Sequence, residues 1–139
     1  MANFSNDVLI GNFDIIKDNI ASKIINVSKT LFLRQYKRQE DPDGKPWQEL
    51  KESTLKYKKS GNKILQENGY LIGALSNSVL NGSSKWNDCR LVITGVPYAS
   101  AHQYGEGHMP ERRILGHNQT LQDAQLSIII EEITKLFTK

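Results

Sequence analysis

Cysteine is almost missing from this chain: Cys89 stands alone among 139 residues, beside only two methionines, two tryptophans and four prolines. A single thiol excludes an internal disulfide framework and any metal site built from several cysteines, and it fits a reducing compartment. The alternation around Cys89 places it inside an apolar strand, where it reads as a small core residue. No window approaches the roughly eighteen consecutive apolar residues that a spanning helix needs. Met1 to Gly11 has no basic region ahead of an apolar run, as a secretory signal would. These absences lead to the expectation of a cytosolic protein with no membrane association.

Several catalytic signatures are missing as well. There is no strand-Gly-x-Ser-x-Gly turn to present a nucleophile. Gly105-Glu106-Gly107 runs into Met109 and Pro110 instead of opening a helix whose backbone donors could cradle phosphate. Asp41 and Asp43 have no histidine or cysteine beside them and read as turn-forming aspartates, not as a glycosidic acid and base pair. His102, His108 and His117 fall within sixteen residues. They lack the i, i+4 pairing that puts two imidazoles on one helix face, so solvated or core-edge histidines are the simpler reading. The chain therefore reads as a non-enzyme that needs no cofactor or metal. It has no internal repeat and no low-complexity tract.

What the chain does contain is an ordinary globular balance, 38% hydrophobic and 24% charged with a net charge of +3. A single domain spanning 1–139 is expected, burying roughly two thirds of the surface its unfolded form exposes. Charge is uneven: residues 29–63 hold ten Lys or Arg against five Asp or Glu, a local net of +5. Lys51, Lys56, Lys58, Lys59 and Lys63 make a small basic nucleic-acid-binding module the alternative function, although a solvated helix face and loop is the simpler account.

Periodicity supplies the fold class. Phe13, Ile16, Ile20, Ile24, Val27 and Leu31 recur at spacings of three and four, with Ile15, Ile25, Phe32 and Tyr36 widening the stripe. With Asn12 as cap and Asp14 in the first turn, this predicts a helix to Arg38, about twenty-five residues and roughly 38 Å long, able to pack against a neighbouring subunit. A short helix is expected over Gln48 to Lys59, broken by Ser60-Gly61-Asn62, and another after Gly69 with Leu71, Leu75 and Ile72 inward. Ser78-Val79-Leu80 and Trp86 to Thr94 read as strands of a hairpin turning at Asn81-Gly82. Tyr98 to Tyr104 is a short helix or strand, and Gly105 to Gly116 an exposed polar loop. A final helix starts near Gln119 or Thr120, with Leu126, Ile129, Ile130, Ile133, Leu136 and Phe137 on one face. The expectation is an α+β fold: a long N-terminal helix, short helices, a small antiparallel hairpin sheet and a C-terminal helix.

The densest local signal is Asp41-Pro42-Asp43-Gly44-Lys45-Pro46-Trp47, in which two prolines and a glycine fix a tight loop and an indole closes it onto apolar surface. Trp47 is expected in the core, where the N-terminal helix turns back. Arg112 and Arg113 can clamp a carboxylate or phosphate through paired hydrogen bonds; a structural anchor, within the chain or between chains, outweighs nucleic-acid contact.

Four spaced motifs agree with one family. The Asp41–Trp47 loop followed by Leu50 and Thr54, Ile64-Leu65 with Gly69 and Leu71, Tyr98-Ala99 with His102-Gln103 and Gly105, and Pro110 with Arg112 or Arg113 and Gly116 together resemble the phage virion morphogenesis family, the tail-completion proteins of Mu-like and related tailed phages. Arg113 is the better match to the family arginine, because Ile114-Leu115-Gly116 follows it. The family motif usually carries a second proline that this chain lacks. The resemblance implies a structural α+β protein that completes the tail or neck and supports head-tail joining, through ring-like self-association and contacts with tail and head-connector proteins. It would reside in the host cytoplasm during assembly and then in the virion. It implies structural roles for Asp41, Pro42, Gly44, Trp47, Gly69, Tyr98, Ala99, His102 and Gly105, and makes Arg112 and Arg113 candidate assembly contacts. Direct nucleic-acid contact is not expected. Glu106 to Asn118, short of apolar anchors, is expected to order on assembly.

Overall fold

A computed structural model describes residues 6–56, 64–65 and 69–137. Its spine is α1, Asn6–Lys37, thirty-two residues and so roughly 48 Å long. The helix begins a turn and a half before Asn12, which is an interior residue and not a cap. Gly11 is tolerated within it at a modest propensity cost. The buried line also differs from the expected one. Ile20, Ala21, Ile25, Ser28, Phe32 and Tyr36 are buried, whereas Ile24, Val27 and Leu31 are half-buried. Ile25, Phe32 and Tyr36, expected only to widen the stripe, lie at its centre, a rotation of about one position. Ile15 is 78% exposed.

Downstream of the loop, α2 is a single turn, Glu52–Leu55, much shorter than the helix expected there; Tyr57 to Lys59 and the Ser60-Gly61-Asn62 break lie outside the described residues. Gly69 opens α3, Tyr70–Ser76, from the left-handed region at φ 72°. Leu71 and Leu75 are buried as their spacing requires, and Ile72 packs against the same core. Ser78-Val79-Leu80 is not a strand: it belongs to α4, Ser78–Asn81, which follows α3 after the single residue Asn77. Ser78 is fully buried and donates its hydroxyl to the Leu75 carbonyl at 2.6 Å, a local bond that favours a helical turn over an extended chain.

The expected hairpin exists but is displaced. Strand β1, Ser83–Lys85, pairs antiparallel with β2, Asp88–Arg90, in the register Ser83 to Arg90, and Trp86-Asn87 makes the turn instead of Asn81-Gly82. Residues 91–94 are not strand. The hairpin lies on α1: Trp86 meets the Phe13 ring edge-on at 5.3 Å, and its backbone N–H donates to Asp18 Oδ1 at 2.9 Å. Cys89, expected in the core, is exposed; its Sγ lies 3.7 Å from the Ala21 carbonyl.

The chain then forms α5, Ala99–Tyr104, and α6, Gln119–Phe137. Helix α6 packs antiparallel on α1, since Lys23 pairs with Glu132 while Ser28 accepts a bond from Gln125 Nε2 at 3.0 Å. Glu132 is buried and also pairs with Lys135 at 3.2 Å. Hydrogen bonds from Lys23 first, then from Lys135, hold its carboxyl below its ordinary value. The expected apolar face of α6 is only partly covered: Ile129, Ile133 and Leu136 are half-buried, while Leu126, Ile130 and Phe137 are 52%, 56% and 59% exposed, and the residues buried are Leu121, outside that face, and Glu132. The core gathers Phe32 and Tyr36 of α1, Trp47, Leu71 and Leu75 of α3, Val96, Ile114 and Leu121 of α6. The protein is thus α+β, with a two-stranded sheet among the described residues. No helix among them is long and apolar enough to cross a membrane.

Candidate assembly site

Two loops interlock at the C-terminal end of α1. The helix stops because Gln39 adopts the left-handed conformation at φ 58°, letting its N–H reach the Tyr36 carbonyl and the Glu40 N–H reach that of Gln35, both at 3.0 Å. This closes the helix with the paired bonds of a Schellman motif. Asp41 then nucleates the turn. Its Oδ1 accepts from the N–H groups of Asp43 and Lys45, each at 2.9 Å, and Gly44 supplies the left-handed residue at φ 83°. The returning chain pairs Trp47 N–H with the Gln39 carbonyl at 2.8 Å.

That geometry delivers Trp47 into the core at 4% exposure, edge-on to Tyr36 with ring centres 5.1 Å apart. Such an edge contact adds about 0.5–1.5 kcal/mol beyond burial. The buried indole N–H is satisfied across the fold by the Arg113 carbonyl at 2.9 Å. Burial and then the neighbouring Tyr98 push the Tyr36 phenol well above its ordinary range, so it stays a neutral donor to the Leu65 carbonyl.

The segment 105–116 is not a free polar loop, since Arg112 and Ile114 are both buried. Gln103 of α5 grips it: Oε1 accepts from Ile114 N–H at 2.7 Å and Leu115 N–H at 3.1 Å, while Nε2 donates to the Leu115 carbonyl at 2.7 Å. Asn118 holds its end, donating to the Pro42 carbonyl and capping α6 by accepting from Leu121 N–H at 2.7 Å. Gly116 lets the loops approach: a side chain there would meet Pro42 Cγ at 3.2 Å. These bonds lie within the chain.

The two arginines divide the work. Arg112 is 6% exposed and donates Nε to the Gln48 carbonyl at 3.0 Å and a second nitrogen to that of Glu49 at 3.4 Å. Burial lowers its pKa from the ordinary value. It acts as an anchor inside the chain. Arg113 pairs with Asp43 and, at 3.8 Å, with Asp41, so the turn aspartates face the second loop.

Gly69, Leu71, Tyr98 and His102 line a cleft of about 470 Å³, together with Met109 and Arg112. Tyr98 precedes α5, Ala99 opens it, and Gly105 ends it in the left-handed region at φ 68°. A side chain on Gly105 would come within 2.9 Å of the Glu111 nitrogen. His102 meets Tyr98 edge-on at 5.9 Å, and its buried Nδ1 has no hydrogen-bond partner among the described residues. Burial first, and then the Arg112 charge, lower its pKa, which keeps it neutral at pH 7. His108 borders the same cleft, whereas His117 lines a different hollow beside Leu121. Among the described residues no three His, Cys, Asp or Glu side chains converge to hold a metal ion.

This interlock of the Asp41–Trp47 turn, the α5 helix and the Arg112–Gly116 segment joins three of the four motifs in space, and Gly69 and Leu71 of the fourth line the adjoining cleft. The profile of the phage virion morphogenesis family matches residues 14–134. The chain belongs to that family. The match also takes in most of α1, for which sequence reasoning found no motif. Neither the curated proteins nor the solved structures contain a match to the chain.

Asn118 and Gln39 hold the site together without a role read from sequence, Gln103 is quoted there only as part of the His102-Gln103 motif, and Tyr36 only as part of the helical stripe. Asn118 was findable, as a capping residue just ahead of an apolar periodicity. Gln103 gives no such signal, because its partners are eleven and twelve residues away in an irregular segment.

Proposed function

We propose that this member of the virion morphogenesis family is a structural protein that completes the phage tail or neck and supports head-tail joining, acting through ring-like self-association and contacts with tail and head-connector proteins. It works in the host cytoplasm during assembly and remains in the virion. The observation that carries this reading is the family match across residues 14–134. The surface agrees with it. Leu126, Ile130 and Phe137 lie exposed on one line of α6, the kind of apolar patch that marks a protein contact. The motif residues serve as scaffold in this reading: Arg112 is an internal anchor, and Arg113 ties the turn to its neighbour.

Light scattering on the purified protein, alone and with isolated tail tubes or connector rings, tests the proposal. A closed oligomer, or a monomer that joins tails and renders them competent for head attachment, is the expected result. A protein that stays monomeric at high concentration and adds to neither tails nor connectors would refute it.

A further inference from the structure

Two surfaces on the paired helices remain uncovered, and they complement each other. On α6 the line Leu126, Ile130, Ile133, Phe137 follows i, i+4, i+7, i+11, a straight stripe along the helix. Leu126, Ile130 and Phe137 are more than half exposed, and Ile133 is half-buried. Two exposed acids lie near the stripe: Asp123, bonded to Gln119 at 2.7 Å, continues its line one turn before Leu126, and Glu131, which has Lys135 at 3.6 Å as an exposed partner, follows Ile130. Exposed pairs of that kind contribute little.

The second surface lies on the outer face of the C-terminal half of α1. Thr30, Leu33, Arg34, Lys37 and Arg38 line a hollow of about 430 Å³. The three cations are exposed, and none forms an ion pair among the described residues. Arg34 and Lys37 also offset the negative end of the α1 dipole, which accounts for their position near its end. It does not account for an open hollow in which half-buried Leu33 lies among three exposed cations, whose aliphatic stems present apolar sides to a docking chain.

We infer that the acid-edged apolar stripe of α6 docks into the basic hollow of α1 on a second copy of this chain. The inference rests on the ring reading above and specifies its contact. Because the two surfaces differ, the contact is heterologous: each copy uses its stripe on one neighbour and offers its hollow to the other. Such contacts close into rings when the rotation per step divides a full turn. Opposite charges around the apolar contact fix its register and orientation.

Charge reversal in the full-length chain tests this. Variant A carries Arg34→Glu and Lys37→Glu; variant B carries Asp123→Lys and Glu131→Lys. All four positions are exposed, and circular dichroism checks that both variants fold. Each variant alone should lose self-association by on the order of tenfold or more, as expected when like charges face each other. Mixing A with B should restore it, because every stripe then meets a hollow of opposite sign. Four substitutions in one chain should restore it too. If both variants assemble as the parent does, or if both fail and mixing restores nothing, the pairing is wrong although the ring reading stands. A parent that joins tails but never meets its own copies overturns both the pairing and the ring-like self-association, and leaves only the tail-joining reading. A parent that neither self-associates nor joins tails overturns both.

Discussion

Replacing Trp47 by alanine probes how the site is built, because one indole ties α1, the turn loop and the arginine segment together. Its 4% exposure means that nearly the whole side chain leaves a void on truncation, and buried Phe or Trp to Ala changes cost about 3–5 kcal/mol. Two further losses place this site at the upper end of that range. The edge contact with Tyr36 disappears, and the Arg113 carbonyl, 2.9 Å from the indole nitrogen, is left without its donor. We expect a loss of about 4–5 kcal/mol, a large part of the roughly 5–15 kcal/mol by which domains of this kind are stable. Urea unfolding followed by far-ultraviolet circular dichroism reads it directly. At an m value of about 2 kcal/mol/M the midpoint should fall by about 2 M. Trp47→Phe, which keeps an aromatic ring but no N–H donor, should cost about 1–2 kcal/mol. A midpoint shift below about 0.5 M for Trp47→Ala would refute the reasoning and place the indole on a contact surface instead.

Gln103→Leu removes three hydrogen bonds at about 1 kcal/mol each, and limited proteolysis within 105–116 should speed up as global stability falls by about 3 kcal/mol. Gly105→Ala is strained by its left-handed backbone, about 1–3 kcal/mol, and by its approach to Glu111; Gly105→Asn, which tolerates that backbone, should not recover full stability in thermal melts because the close approach remains. Glu132 has its folded pKa depressed, so its contribution is complete above its ordinary 4.5 and is lost as pH falls through the lower folded value. The urea midpoint of the parent should therefore drop on acidification below about pH 4.5, and Glu132→Gln should lower the neutral-pH midpoint while flattening that acid limb.

Features governed by neighbours in sequence were legible. Periodicity located α1 and α6, and the Asp41–Trp47 turn announced itself because aspartate, proline and glycine each constrain backbone within a few residues. The errors share a cause. Ser78-Val79-Leu80 looks extended by propensity, yet tertiary context and the Ser78 hydroxyl keep it helical. The 105–116 segment looks exposed because its polar composition hides two buried anchors. Arg112 is satisfied by carbonyls more than sixty residues away, and nothing near it in the chain marks it as interior. Cys89 looked interior because alternation cannot tell which face of a three-residue strand is covered.

The apolar positions of α6 show the same limit and carry it into function. Periodicity picks out one apolar face of the helix, without Leu121 and Ile128, and does not say which of its residues the chain itself covers. The division here, Leu121 and Glu132 inward and Leu126, Ile130 and Phe137 outward, is decided by where α1 lies. The two helices are tied by the Lys23–Glu132 pair, the Gln125–Ser28 bond and the core shared by Leu121, Phe32 and Tyr36, so the outward stripe and the basic hollow of α1 belong to one packed helix pair. If neighbouring copies join through those two surfaces, the angle between α1 and α6 sets the rotation per subunit. Glu132→Gln then becomes more than a stability variant: at neutral pH, where the fold survives, it should alter the size or closure of the assembly although it touches neither contact surface.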